Sequence, residues 1–163
     1  MAKIIKVYQE AEPAGMLLGK LYHDGDRDEH GTFSKKWEEW FKAGWFEQLC
    51  AHCHAGQSDY VGAMRMHAGG FEYWIGVIAA PGTAVPDGFS GVALPASNAA
   101  VAWIKGTDGP ALYAMHEACM RAFAENGWSP ADDAWYIERY NCPRYTQPDE
   151  NGEVILDYVV YTK

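Results

Sequence analysis

Leu94-Pro95-Ala96-Ser97-Asn98-Ala99-Ala100-Val101-Ala102-Trp103-Ile104-Lys105-Gly106 is the stretch from which the fold can be read. Pro95 cannot donate to a strand ladder, so it separates two extended segments, Phe89 to Leu94 and Ala99 to Ile104. Gly106-Thr107-Asp108-Gly109-Pro110 then breaks the strand pattern. Pro110 suits the first turn of a helix, where its missing N–H is not needed. Leu112, Met115, Cys119 and Phe123 give that helix one apolar stripe. Trp135 to Tyr140 and Val154 to Tyr161 read as strands, separated by a polar loop around Asp149 to Gly152.

Moving toward the N-terminus, the same order recurs. Residues 3–8 alternate in character and read as a short strand, and Met16 to Tyr22 as a second extended stretch. The polar run His23 to Gly31 marks a loop. Thr32 or Ser34 can cap a helix that starts near Phe33, with Phe33, Trp37, Trp40 and Phe41 on one stripe. Gly44 interrupts this helix, and Tyr60 to Met66 and Phe71 to Ala79 follow as strands. Phe41-Lys42-Ala43-Gly44-Trp45 and Ala124-Glu125-Asn126-Gly127-Trp128 place a Gly-Trp pair at corresponding points of the two series. The expectation is an α+β fold made of duplicated β-α-β-β units, with halves at about 1–80 and 89–163. The units would form one antiparallel sheet with two helices on one face and a ligand groove between the halves.

The chain has 163 residues, enough for one domain with a sizeable core, and is 48% hydrophobic. Seven Trp and ten Tyr lift the aromatic share to 14%, and such residues supply rigid contact area with a polar handle. The formal net charge is -9 with no Lys/Arg-rich run, which disfavours direct nucleic-acid binding. No signal-peptide pattern and no apolar stretch of membrane-spanning length occurs, so a cytoplasmic location with reduced cysteines is expected.

The stretch quoted first resembles the gyrase-inhibitor-like (GyrI-like) family, the effector-binding domain also found at the C-terminus of multidrug-responsive transcription activators. That family typically reads Pro-Ala-Gly-Lys-Tyr-Ala-Val-Phe-Glu-Val-Lys-Gly at this point. Tyr136-Ile137-Glu138-Arg139-Tyr140, the closing Leu156-Asp157-Tyr158-Val159-Val160 and the upstream Tyr73-Trp74-Ile75-Gly76-Val77 fit the same pattern. The resemblance implies a domain that binds planar or cationic compounds, with one glutamate inside an aromatic site, at Glu138. With no helix-turn-helix region ahead of it, a stand-alone member is expected. This chain departs from the pattern at Ala99 and Ala102, in place of Tyr and Phe, and at Trp103, in place of Glu. The wall of the site there is expected to be reshaped.

Strand alternation puts Tyr136, Glu138 and Tyr140 on one face and Trp135, Ile137 and Arg139 on the other. A carboxylate flanked by phenols can accept their hydrogen bonds, while the ring faces attract a cation by roughly 0.5–2 kcal/mol. The plain alternative is a surface salt bridge from Glu138 to a nearby Arg or Lys. Family likeness points Tyr158 at the same site, and Trp103, Tyr113 and Trp40 are candidate walls, although each read singly is ordinary core. Three functions are in play: binding a small planar or cationic ligand, hydrolysis of strained cyclopropane-containing compounds, or interaction with gyrase. Glu138 and Tyr140 would be the catalytic pair if the chain is a hydrolase. Neither a cofactor nor a resident metal is called for, and gyrase or a second copy of the chain stand as possible partners. Cys50-Ala51-His52-Cys53-His54 matches a haem-attachment pattern and could ligate metal, but the better reading is a helix end with reduced thiols. His67 and His116 read as isolated structural residues. No Ser-His-Asp spacing, phosphate loop or dinucleotide fingerprint is present.

Overall fold

In the computed structural model residues 1–51 and 60–163 are described. The elements are β1 (Lys3–Glu12), β2 (Gly15–Tyr22), a 3-10 turn (Asp24–Asp26), α1 (Ser34–Ala43), α2 (Trp45–Cys50), β3 (Tyr60–His67) and β4 (Gly70–Ala79). They continue with β5 (Ser90–Leu94), β6 (Ser97–Thr107), α3 (Pro110–Tyr113), α4 (His116–Glu125), β7 (Tyr136–Tyr140) and β8 (Glu153–Thr162). The chain divides into two units, residues 14–95 and residues 1–13 with 96–163. Each contains a strand–helix–strand–strand series of the kind anticipated from the sequence, β2-α1-α2-β3-β4 and β6-α3-α4-β7-β8, together with one further strand: β5 pairs with β2 in the first and β1 with β6 in the second. The fold is α+β with antiparallel pairing. The Cys50-Ala51-His52-Cys53-His54 motif falls mostly outside the described residues. No cluster of metal-ligating side chains is present among those described, and none of their helices is long and apolar enough to cross a membrane.

In the 14–95 unit, β2 lies between β4 and β5, and β3 pairs with the other edge of β4. Gly19 and Gly76 face each other across β2 and β4. A Cβ on Gly76 would lie 1.9 Å from the Leu18 carbonyl oxygen, so only glycine permits this approach. Helix α1 covers an aromatic core of Phe33, Trp40, Phe46, Tyr22 and Tyr73. Two expectations are corrected here. The N-cap of α1 is Phe33, with no side-chain cap, rather than Thr32 or Ser34; the Thr32 hydroxyl donates to Asp28 Oδ2 at 2.6 Å and accepts from the Ser34 N–H. Phe41 leaves the apolar stripe and is exposed. Gly44 ends α1 with a positive φ of 69°, the left-handed turn that a side chain resists.

In the other unit the strand order is β1-β6-β8-β7. Here the single helix expected from the stripe Leu112, Met115, Cys119 and Phe123 is two, α3 and α4, broken at Ala114 and Met115. Leu112, Cys119 and Phe123 are still buried. The register fixes which side chains share a face, because directly paired residues point the same way. Glu138 pairs with Tyr158, Tyr158 with Ala102, and Ala102 with Val7. One position along, Arg139 pairs with Asp157, Asp157 with Trp103, and Trp103 with Lys6. These two rows belong to opposite faces of the strands.

Candidate functional site

Glu138 lies in the middle of β7 on the face that also carries Tyr136, Tyr140 and Tyr158, as the alternation of the strand requires. Its side chain is half-buried. The Tyr140 hydroxyl donates to Glu138 Oε2 at 3.3 Å. Among the described residues no Lys, Arg or His forms an ion pair with it, so the surface salt bridge considered from the sequence does not form. Burial pushes the carboxyl up to about 7, and the Tyr140 hydrogen bond offsets only part of that effect. A carboxyl so placed is poised to lose its proton near neutrality.

The hydroxyls of Tyr158, Tyr145 and Tyr113 are committed to protein partners. Helix α4 brings His116 onto this face, where its Nδ1 lies 2.5 Å from the Tyr158 hydroxyl. The same imidazole lies against the Tyr136 ring, with centroids 5.7 Å apart. Burial, then the charge of Glu138, drives the Tyr158 hydroxyl far above the ordinary phenol range. Tyr145, in the loop between β7 and β8, sets its ring edge-on to Tyr140 with centroids 4.8 Å apart. Its hydroxyl meets that of Tyr113 and lies 3.3 Å from Asp108 Oδ1, to which Tyr113 donates at 2.6 Å. Burial pushes the Tyr145 hydroxyl up to about 12, and the charges of Asp108 and Glu138 both contribute.

Five of the seven residues named from the sequence therefore belong to one constellation: Glu138, Tyr136, Tyr140 and Tyr158 directly, and Tyr113 through Tyr145. The other two do not join it. Trp103 sits in the row on the opposite face, with Lys6 4.6 Å from its ring and the Arg144 guanidinium at 4.4 Å. Trp40 is in the core of the 14–95 unit, fully buried, and donates from Nε1 to the Tyr22 hydroxyl at 3.0 Å. His116, Tyr145 and Asp108 were not named as site residues. The sequence signal available for Asp108 and Tyr145 was only their place in loops that flank the strands.

The opposite face holds a second acid, of different character. Asp157 is fully buried and accepts from Arg144 at 2.7 Å and from Arg139 at 3.2 Å. Arg139 also reaches Glu10 at 3.2 Å and Glu12 at 3.1 Å. This network is internally paired and links β1, β8 and β7, which marks it as a structural tie.

No family model matches the chain, and no curated protein matches it. Solved structures do. The structure of SAV2435 bound to tetraphenylphosphonium aligns with a TM-score of 0.76 at 15% identity, over 98% of this chain and 94% of that one. A candidate transcription regulation protein of Staphylococcus aureus MU50 aligns with a TM-score of 0.71 at 13% identity, over 98% and 99%. The EcmrR C-terminal domain aligns with a TM-score of 0.60 at 11% identity, over 97% of each chain. At these identities the likeness shows the fold, and that fold agrees with the GyrI-like resemblance read from the sequence.

Proposed function

We propose that the chain binds a small organic cation at Glu138, with the phenol rings of Tyr136, Tyr140 and Tyr158 as its aromatic surround. The observation that carries this reading is a half-buried carboxyl that has aromatic neighbours and a single phenol donor but no cationic partner among the described residues. An ionised carboxylate in such surroundings is penalised, and a ligand cation relieves that penalty while gaining contact with ring faces. The tetraphenylphosphonium held by SAV2435 is a cation of this class, which supports the reading by analogy of fold. Sensing, sequestration or detoxification of such a compound would each use this site. A cytoplasmic location would keep Cys119 and Cys142 as thiols.

Calorimetric titration with tetraphenylphosphonium tests the reading. Saturable binding at one site, weakened at least tenfold in Glu138→Gln at pH 8, is the expected result. Affinity left intact by that substitution would sink the proposal.

A second reading draws on the carboxyl at about 7 beside the Tyr140 hydroxyl. Glu138 would take a proton from water as the water oxygen bonds to a cyclopropane carbon, the strained C–C bond would break with the Tyr140 hydroxyl protonating the carbon released, and Tyr140 would regain its proton from Glu138. A hydrated product found by mass spectrometry over many turnovers would favour it; unchanged compound would remove it.

A further inference from the structure

We infer that Tyr145, clamped by Asp108 and Tyr113, is a wall of the Glu138 site and selects aryl cations over alkyl ones. This rests on the cation-binding reading of Glu138 and deepens it. Tyr145 lies in the loop joining β7 to β8, yet several contacts fix its ring. The preceding residue, Arg144, is tied through its guanidinium to the buried Asp157 at 2.7 Å, and its carbonyl accepts from the Ile155 N–H at 3.0 Å. The Tyr145 N–H donates to the Asn141 carbonyl at 2.8 Å. At its far end the hydroxyl is gripped by Tyr113 and Asp108. The ring between these anchors stands at 71° to that of Tyr140, whose hydroxyl reaches Glu138.

With its hydroxyl engaged by protein groups, Tyr145 has its ring rather than its oxygen to offer a ligand. The hydroxyls of Tyr140 and Tyr158 are likewise engaged, by Glu138 and His116. A cation at Glu138 thus meets aromatic surface held in a fixed orientation. Such surface rewards a ligand that carries rings of its own, through edge-on and offset contacts, more than one that carries flexible chains. The clamp also removes the entropy that a free loop tyrosine would lose on binding.

The test uses two phosphonium ions with the same charge, tetraphenylphosphonium and tetrabutylphosphonium, titrated calorimetrically into the full chain. Tyr145→Ala is expected to weaken the phenyl ion by ~3- to 30-fold and the butyl ion by less than about twofold. Tyr145→Phe and Asp108→Asn, which keep the ring but loosen the clamp, should each cost the phenyl ion about two- to fourfold. Their double variant should be no worse than the larger single effect, since both act through one contact. Circular dichroism and melting curves confirm that each variant is folded, and the conservative pair carries the test if Tyr145→Ala is not. Equal losses for both ions, or no loss with either, overturn the proposal. Glu138→Gln separates the two ideas. If it abolishes binding while the Tyr145 and Asp108 variants change nothing, only the wall is refuted. If it leaves affinity unchanged, the cation reading fails and the wall with it.

Discussion

If the Glu138 carboxyl must be ionised to hold a cation, affinity should follow its titration. With the group at about 7, ~90% is ionised at pH 8, ~10% at pH 6 and ~1% at pH 5. The apparent dissociation constant for tetraphenylphosphonium should therefore rise about tenfold between pH 8 and pH 6, and almost 100-fold between pH 8 and pH 5. Binding at pH 7 should also release about half a proton per site, because a bound cation drives the carboxyl to its charged form. Calorimetric titration in two buffers of different ionisation enthalpy reads both quantities. The other titratable groups facing this site are separable. The hydroxyls of Tyr113, Tyr145 and Tyr158 and the Cys119 thiol are all driven up, away from this pH window. His116, whose Nδ1 meets the Tyr158 hydroxyl, faces the same site, so His116→Gln is the control that should keep the slope while Glu138→Gln flattens it. A flat profile from pH 5 to 8 in the unaltered chain, or an unchanged slope in Glu138→Gln, would refute the reasoning.

Three further outcomes follow from the same geometry. Because the folded-state value of Glu138 lies above its unfolded value of 4.5, its ionisation penalises folding progressively between about pH 4.5 and 7, and fully at pH 8. Glu138→Gln should thus stabilise the ligand-free chain at pH 8, by about 3 kcal/mol as a ceiling and nearer 1–2 kcal/mol after solvent screening, and leave it unchanged at pH 4; urea unfolding at the two pH values checks this. Asp157→Ala leaves two guanidinium groups without their buried counter-ion and should cost about 3–5 kcal/mol by urea denaturation. Gly76→Ala forces its new methyl into the Leu18 carbonyl across β2 and β4, so a loss of more than ~2 kcal/mol is expected in thermal melts, and an unaffected melt would contradict the packing.

The strand carrying Glu138 was legible because its period of two is written into Tyr136-Ile137-Glu138-Arg139-Tyr140 and needs no partner strand to interpret. Trp103 shows where that signal stops. Alternation says which residues of one strand share a face, but the face that Trp103 shares with β7 depends on the register of β6 with β8. That register depends on long-range pairing and packing, which no local pattern encodes. The break between α3 and α4 was hidden for a related reason: Leu112, Met115, Cys119 and Phe123 keep helical spacing across it, with no Gly or Pro to announce the interruption. His116 read as isolated because its partner, Tyr158, is 42 residues away. Tyr145 and Asp108 sit in loops, which have no periodicity at all. Asp157 was the exception that could have been found, as a charge inside the otherwise apolar run Leu156 to Val160, with Arg139 and Arg144 close by in sequence.

Asp157 and Glu138 together make the functional case sharper than either does alone. Asp157 and Glu138 occupy adjacent register positions of the same strand pair, one facing each way. Asp157 has no exposed side chain, and the protein supplies two guanidinium groups to match its charge. Glu138 keeps partial contact with solvent, receives one phenol hydrogen bond, and is held near neutrality between its charged and uncharged forms. A sequence able to place Arg139 and Arg144 around one carboxylate had basic residues available, yet among the described residues none is paired with the other. Charge partly withdrawn from water and left unpaired costs stability, so its retention calls for a use beyond folding. The proposed cation, arriving to balance this charge and leaving again, would account both for a carboxyl with no cationic partner among the described residues and for the surrounding rings.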